Sequence, residues 1–350
     1  MKKWFDIAVL AVLVGLTACT KVESTPEAQE TISFAVGSYA HATKAEQALG
    51  TGDYAGITSF KSSAWLHAQG AAAGTAFFTN ETISKTGSTW EPALDYFWPK
   101  HPSSYINFVS WYSTIAPDSG YPTEDEIRWT VDTDLASNAV ILLAEKAWEQ
   151  KTNVTTYFTS GVPTLFHHML TEVIIKVKSG AVSETESGVT TTWALDVSNF
   201  KIENVYKTGT LALTNTVAPA SAGTTTWTTS GWDFTGKTKT DMDVVTASTR
   251  LTSDFTTLLA SSVLPQSISG ISLSFDYAVE TKTTNGTTTN TLVESGSKNG
   301  ILLSSFEGYN GDWEMNKKIT YSITINPKTG AITITPTVED VDFSLLLNVE

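Results

Sequence analysis

The chain has one cysteine, Cys19, in 350 residues, and its 22 Lys and Arg are outnumbered by 36 Asp and Glu. A lone thiol forms no internal disulfide, so an exported fold must be held together by its hydrophobic core. The net charge of −14 comes without a basic cluster, which argues against nucleic-acid partners, because phosphate neutralisation requires clustered cations. After the first eighteen residues no apolar stretch approaches the roughly 20 residues that span a bilayer.

The beginning of the chain has the composition of a secretory signal. Two lysines precede a short apolar run at 7–16, and small residues lead to Cys19. The four residues LTAC that end at Cys19 are similar to a bacterial lipobox, whose cysteine becomes the first mature residue and carries a diacylglyceryl group. We predict a lipoprotein signal peptide at 1–18, lipidation of Cys19 and a polar tether at 19–30. An ordinary signal peptide that contains a cysteine is the alternative.

Short runs with alternating apolar and polar residues dominate the rest of the chain. This period of two, with Gly, Pro, Asn, Asp and Ser between the runs, is typical of β-strands with one buried face. The frequent threonines also favour strands, because β-branched side chains suit a pleated surface. The clearest predicted strands are 32–36, 105–112, 172–178 and 271–277, with a hairpin over 319–335 that turns at 326–330.

Helical patterns are few, so the sequence predicts an all-β fold made of sandwiches. Only residues 136–151 and 252–261 have a composition that permits a helix. The strand pattern breaks between 157 and 163. We therefore predict two tandem domains, at 31–160 and 161–350.

Several segments carry a resemblance to a known family through their order along the chain. They are 32–34 followed by Ala42-Thr43-Lys44-Ala45; Tyr96-Phe97-Trp98-Pro99 followed by 106–112; 162–173; Val263-Leu264-Pro265-Gln266; and 313–321. In this order they resemble the fimbrillin family, pilin-like lipoproteins of Bacteroidales that build type V pili. The resemblance covers nearly the whole mature chain and implies transthyretin-like β-sandwiches.

The resemblance implies assembly by strand exchange between subunits. A protease would cut the loop at Lys44 and remove the first strand, with Ile32, Phe34 and Val36 on its buried face. The family loop usually carries Arg where this chain has Lys44, and an uncut, solvated lysine is the alternative. The first strand is then either removable or permanent.

The last ten residues, 341–350, have the pattern that a donated strand requires. Alternation places five apolar side chains on one face: Val341, Phe343, Leu345, Leu347 and Val349. Buried in a groove, each would contribute roughly 1.5 to 3 kcal/mol. An exposed apolar strand at a chain end invites association. The alternative is that 341–350 is the final edge strand of its own domain.

No constellation of residues points to catalysis or to a metal. The acidic clusters at 124–126 and 339–342 are local, whereas glycoside hydrolysis needs two carboxylates about 5 to 10 Å apart across a cleft, so we predict solvated turns. Neighbours on a strand point to opposite faces, so His167 and His168 are predicted as one buried and one surface histidine rather than as metal ligands. We predict no enzyme activity, no cofactor and no metal.

Eleven tryptophans leave one further function open. Trp227 and Trp232 lie in a Thr- and Gly-rich stretch and could stack on sugars, although core packing is the commoner use of such residues. The predicted function is a structural or adhesive subunit of a surface pilus, anchored in the outer membrane by lipid and partnered by other pilin subunits. The alternative is a monomeric surface lipoprotein that binds a glycan or a host protein through its loops.

Overall fold

The computed structural model describes residues 30–38, 57–87, 89–132, 139–144, 147–152, 161–214, 231–306 and 311–340. Strands dominate these residues. The first nine are β1 (Phe34–Ser38), β2 (Ser59–His67), β3 (Thr75–Thr86), β4 (Thr89–Pro92), β5 (Tyr105–Ser113), β6 (Glu126–Asp132), β7 (Ile141–Ala144), β8 (Ala147–Gln150) and β9 (Val162–His168).

The second half of the chain contributes twelve more strands and one 3-10 turn at Leu303–Ser305. These strands are β10 (Thr171–Ser179), β11 (Ser183–Glu186), β12 (Val189–Val205), β13 (Thr208–Thr214), β14 (Trp232–Asp233), β15 (Thr240–Val245), β16 (Thr249–Leu251), β17 (Thr256–Val263), β18 (Ser272–Asn285), β19 (Thr288–Leu302), β20 (Lys317–Ile325) and β21 (Ile332–Asp340). The prediction of an all-β chain is confirmed. No helix in the described part of the chain is long and apolar enough to cross a membrane.

The first sheet contains eight strands in the order β2-β3-β4-β1-β9-β7-β5-β8, and β2 also pairs with β5. That additional pairing closes a circuit of seven strands from β2 through β1 and back. The apolar faces of these strands enclose the first core, which includes Phe34, Phe60, Phe108 and Phe166. Strand β1 is therefore an interior strand, although it is the first strand among the described residues.

The second half forms a sandwich of two sheets over the second core. One sheet has the order β17-β10-β20-β21, and the other has the order β11-β12-β18-β19 with β15 and β16 beside β12. Strand β20 shows why the sequence folds this way, because its burial alternates strictly and places Ile319, Tyr321, Ile323 and Ile325 inside. The several sheets are compatible with tandem sandwiches.

Strands from the two sides of residue 160 pair with each other. Strand β9 lies in the first sheet between β1 and β7, and β6 pairs with β13 over seven residues. A central core joins the halves and contains Trp129 of β6, Leu211 of β13 and Trp232 of β14. The division into domains at 160 stays a prediction, and strand pairing does not separate the chain there.

The predicted strands and the predicted hairpin are present. Strands β5 and β10 contain the predicted runs, β18 contains all of 271–277 except Ile271, and β20 turns into β21 where the sequence indicates. The turn is fixed by Asn326, whose Oδ1 accepts a hydrogen bond of 2.9 Å from the amide of Lys328, and by Gly330 at φ +68°. A positive φ of this kind favours glycine.

Both helix predictions are wrong where the structure describes those residues. Residues 141–144 and 147–150 are strands β7 and β8, and Thr256–Val263 is β17. All four residues of β7 are buried, and β7 pairs with β5 and β9 on its two sides. Tertiary pairing overrides the helix propensity of Leu and Ala, which is only a weak preference.

The link between β9 and β10 lies deep in the molecule. His167 and His168 at the end of β9 are both buried, as are Met169 and Leu170 that follow. The prediction of one surface histidine is wrong, because β9 has a core on each of its faces. Burial, together with the smaller effect of the neighbouring His167, lowers the pKa of His168 to about 3.

The buried His168 predicts a loss of stability in mild acid. Its folded pKa lies below the unfolded value of 6.5, so the unfolded chain binds the proton more tightly, and stability falls as the pH drops below about 6.5. Between pH 7 and pH 5 this single group should cost about 2 kcal/mol of unfolding free energy. Urea unfolding at several pH values measures the slope.

The variants His168→Gln and His101→Gln form the matched pair for this measurement. His101 is exposed, so its removal should leave the slope unchanged, whereas removal of His168 should flatten it. An equal slope in the two variants would show that His168 does not cause the acid sensitivity.

Candidate functional site

Strand β1 lies between β4 and β9 and closes the circuit of the first sheet. Phe34 pairs with Trp90 of β4 in antiparallel orientation, and residues 34–38 pair with Val162–Phe166 of β9 in parallel orientation. Neighbouring strands are about 4.7 to 4.9 Å apart, so without β1 the strands β4 and β9 would face each other across a slot one strand wide.

The residues just before β1 are held as firmly as the strand itself. Main-chain hydrogen bonds join this segment to the stretch that precedes β5 and to the start of β9. They run from the Ile32 amide to the Tyr96 carbonyl at 2.8 Å, from the Trp98 amide to the Glu30 carbonyl at 3.2 Å and from the Val162 amide to the Ser33 carbonyl at 2.7 Å. Two segments singled out by the family resemblance, 32–34 and 96–99, therefore contact each other.

The inner face of this segment is fully inserted into the first core. Ile32, Phe34 and Val36 are 2%, 3% and 5% exposed, while Ser33 and Ala35 between them are half-buried. The predicted alternation of the first strand is thus present. These three side chains stabilise the site by roughly 1.5 to 3 kcal/mol each through burial.

Aromatic rings pack around the side chain of Phe34. Its ring meets the edges of Phe60 and Phe108, with both centroids at 5.6 Å, and Phe60 also contacts Phe166 at 5.3 Å and Trp90 at 5.5 Å. Edge-to-face pairs of this kind add about 0.5 to 1.5 kcal/mol beyond burial. The slot therefore prefers an aromatic side chain at its centre.

Gly161 sets the distance of closest approach between β1 and the start of β9. It has φ +109°, and a Cβ placed on it would lie 2.6 Å from the carbonyl carbon of Phe34 and 2.7 Å from the nitrogen of Ala35. Only glycine fits, since main-chain atoms cannot yield as a flexible side chain can. Sequence reasoning missed Gly161 and used its surroundings only to place a domain boundary.

The predicted acidic and aromatic candidates that the structure describes make hydrogen bonds within the fold. Glu124 is not a solvated turn residue, because its carboxylate accepts a hydrogen bond of 2.6 Å from the Asn107 amide and lies 2.6 Å from Nε2 of His67. Trp232 is buried, and its indole N–H donates to the Met169 carbonyl, which supports core packing over sugar stacking. Across the described ranges no three His, Cys, Asp or Glu residues come together as a metal site.

Several predicted site residues lie outside the residues that the structure describes. They are Cys19, Lys44, Trp227 and the five apolar residues of the predicted donor strand, Val341, Phe343, Leu345, Leu347 and Val349. Lipidation, cleavage and strand donation therefore stay predictions. The removable strand is the one component of the predicted site that the structure describes.

In the described part of the chain, the first strand of an all-β fold lies in the interior of a sheet. The profile of the fimbrillin-like family matches residues 43–340, which is most of the chain. The chain belongs to the fimbrillin-like family. No curated protein matches it.

Two solved structures are among those similar to this chain. A fimbrial protein from Bacteroides vulgatus ATCC 8482 is 15% identical, with a TM-score of 0.54, over 88% of this chain and 99% of the other. The tip fimbrial protein Mfa3 from Porphyromonas gingivalis, with C-terminal truncation, is 9% identical, with a TM-score of 0.37, over 89% of this chain and 100% of the other. The first of these likenesses supports the same fold.

The close approach at Gly161 predicts that Gly161→Ala loosens β1. Inserting a methyl group against rigid main chain should cost about 1 to 3 kcal/mol more than the strain of a positive φ alone. Urea unfolding measures the loss, and hydrogen exchange should accelerate at the Val162 amide, which donates to Ser33.

Gly188→Ala is the matched control for this substitution. Gly188 also has a positive φ, of +82°, but a Cβ placed there meets nothing within 4 Å. It should therefore show the strain without the clash. Equal losses in the two variants, with no change in exchange at Val162, would contradict the role assigned to Gly161.

Proposed function

We propose that this chain is a structural or adhesive subunit of a bacterial surface fimbrium, exported as a lipoprotein through Cys19 and assembled by exchange of β-strands. Membership of the fimbrillin-like family supports the fimbrial role. The observation that carries the assembly mechanism is the position of β1. It fills an interior place in a sheet, and the cleavage predicted at Lys44 would cut the main chain that connects it to β2.

Proteolysis at Lys44 would separate β1 from the rest of the chain. The cut lies after Ser38, the last residue of β1, so the released peptide would carry all three of its inserted side chains. Once β1 left, β4 and β9 would expose unpaired main-chain groups along an aromatic slot. Such an edge is a template for an added strand.

The predicted donor strand has the same order of side chains as the strand that it would replace. Ile32, Phe34 and Val36 present an aliphatic, an aromatic and an aliphatic residue at alternate positions. Residues Val341, Phe343 and Leu345 repeat that order in the same chain direction. We therefore assign Phe343 to the place of Phe34, with the donor running parallel to β9.

In the assembled fibre the donor strand would be longer than β1. Leu347 and Val349 continue the apolar alternation beyond Leu345, and they would extend past the position of Val36. Each further buried side chain would add roughly 1.5 to 3 kcal/mol, so exchange would favour the donor over the strand it displaces. The monomeric binder of glycan or host protein is the competing function.

The alternation of the tail yields a matched pair of substitutions at neighbouring leucines. Leu345→Arg places a charge on the face predicted to enter the slot and should abolish polymer formation, because an unpaired buried charge costs several kcal/mol. Leu346→Arg makes the same change on the opposite face and should assemble nearly as well as the parent. Size-exclusion chromatography and electron microscopy of the protease-treated protein measure assembly.

Mixing experiments distinguish a defective donor from a defective fold. The Leu345→Arg protein keeps an intact slot, so after treatment it should still bind a synthetic peptide of residues 341–350 one to one. A peptide carrying the Phe343→Ala change should bind at least about 100-fold more weakly, because losing a buried phenyl ring costs about 3 kcal/mol or more. Assembly of both arginine variants alike would mean that this tail is not the donor.

Maturation at Lys44 predicts two forms of the protein with different beginnings. Surface-exposed protein should start after Lys44, whereas membrane-bound precursor should retain the lipidated Cys19 peptide. Mass spectrometry of the two fractions measures the difference, and Lys44→Gln should prevent the truncation while Lys21→Gln in the tether should not. A lipidated Cys19 peptide in all surface material would favour the anchored binder.

A further inference from the structure

Residues 162–179 form two consecutive strands, one in the first sheet and one in the C-terminal sandwich. Strands β9 and β10 are joined by only Met169 and Leu170. Strand β9 pairs in parallel with β1, and β10 pairs in parallel with β20 over residues 172–179 and 318–325. The slot and the C-terminal sandwich are therefore both attached to the run 162–179.

The link inside that run is fixed from several directions. Hydrogen bonds reach it from β7, from β14 and from the segment before β20. They run from the His168 amide to Asn316 Oδ1 at 3.2 Å, from the Met169 amide to the Ile141 carbonyl at 2.9 Å, from the Trp232 indole to the Met169 carbonyl at 3.1 Å and from Thr171 Oγ1 to the Glu314 carbonyl at 2.7 Å. The link is buried as well, so it cannot lengthen without unfolding its surroundings.

The parallel pairing of β10 with β20 determines how this ladder would respond to a pulling force. Force from the slot would enter β10 at its beginning, near Glu172, and force at the end of β20 would act on Ile325 at the far end of the same ladder. A ladder pulled from opposite ends shares the load among all its hydrogen bonds. A ladder pulled apart at one end breaks them one at a time, at far lower force.

Strand β21 would be pulled away from β20 at one end, so its hydrogen bonds would break one at a time. It pairs antiparallel with β20 from Ile325–Ile332 to Lys317–Asp340, so the chain leaves β21 for the tail beside the beginning of β20. That is also the end at which force enters β10, since Glu172 lies opposite Lys318 and Lys318 lies opposite Glu339. Tension on the tail therefore opens the Lys317–Asp340 pair first.

Burial reinforces the difference between the two ladders. Strand β20 places four apolar side chains in the second core, whereas β21 contributes Ile334, with Ile332 half-buried against that core and Pro336 buried, and its Val338 is 39% exposed. Among the described residues β21 pairs with β20 alone. Release of β21 consequently exposes less apolar surface than release of β20 would.

We infer that the subunit extends in two stages under tension. Strand β21 detaches from β20 first, and the pairing of the run 162–179 with β20 then resists further unfolding. The inference rests on the proposed function, because only an assembled subunit is pulled between its slot and its tail. Yielding would lengthen a subunit by releasing residues 326–340, about 50 Å of extended chain. The sandwich would otherwise remain folded.

Single-molecule force spectroscopy of the isolated chain tests this two-stage extension. The full chain, with Cys19→Ser and handles fused at both termini, is pulled at constant velocity. The first event should be a small release of about 50 Å, at a force well below that of the later unfolding events. Because no assembly is needed, failure here is independent of the strand-exchange experiments.

A disulfide staple identifies the element that yields. Thr320 and Thr337 lie directly opposite each other on β20 and β21, and paired Cα atoms in such ladders are about 4.5 to 5.5 Å apart, within disulfide range. Thr320→Cys with Thr337→Cys should, when oxidised, shorten the first release to about 10 Å from residues 338–340. Reduction should restore it.

A second staple controls for crosslinking in general. Thr185 and Thr190 face each other across β11 and β12, which pair with neither β20 nor β21. The oxidised pair Thr185→Cys with Thr190→Cys should leave the 50 Å first event in place. The inference is overturned if the first event is a large unfolding step without a small precursor, or if the staple at 320 and 337 leaves the small event unchanged.

Discussion

The insertion of β1 between β4 and β9 is the contact on which the first half of the fold depends. Without it the circuit of seven strands is open, and the first core loses Ile32, Phe34 and Val36. Their burial amounts to roughly 5 to 9 kcal/mol, and each ladder hydrogen bond adds about 0.5 to 1.5 kcal/mol. Folded proteins are stable by only about 5 to 15 kcal/mol in total. An empty slot would therefore be short-lived, and in the proposed assembly the release of β1 would have to be followed closely by its replacement.

The same contact explains why a slot of this kind can be specific. Any extended segment can supply the main-chain pairing, so selection rests on side chains. The ring of Phe34 contacts Phe60 and Phe108, Phe60 in turn contacts Phe166, and Gly161 permits the close approach of the main chain of β1 at that level. A segment that lacks an aromatic residue in this place would leave a cavity, and one placed a residue out of register would turn its apolar face to solvent.

Local patterns predicted the components of this site but not their arrangement. The alternation at 32–36 identified the buried face of β1, and the turn residues at 326–330 identified the last hairpin, because both signals lie within a few residues. The strand identity of Ile141–Ala144 could not be read in this way. Its residues favour a helix, and only pairing with β5 and β9, which are distant in sequence, makes it a strand. Gly161 was missed for the same reason, since the atoms that exclude a Cβ belong to Phe34 and Ala35.

The central core connects the site to the rest of the molecule. Trp129 on β6, Leu211 on β13 and Trp232 on β14 come from both sides of residue 160, and Trp232 bonds to the link between β9 and β10. A slot wall that continues directly into the second sandwich cannot shift independently of it. If a flexible linker separated the slot from the C-terminal sandwich, a strand bound in the slot would be coupled only loosely to that sandwich. Here β9 is at once the wall of the slot and the beginning of the run that holds β20, so a strand bound in the slot is coupled to the C-terminal sandwich by continuous, buried main chain.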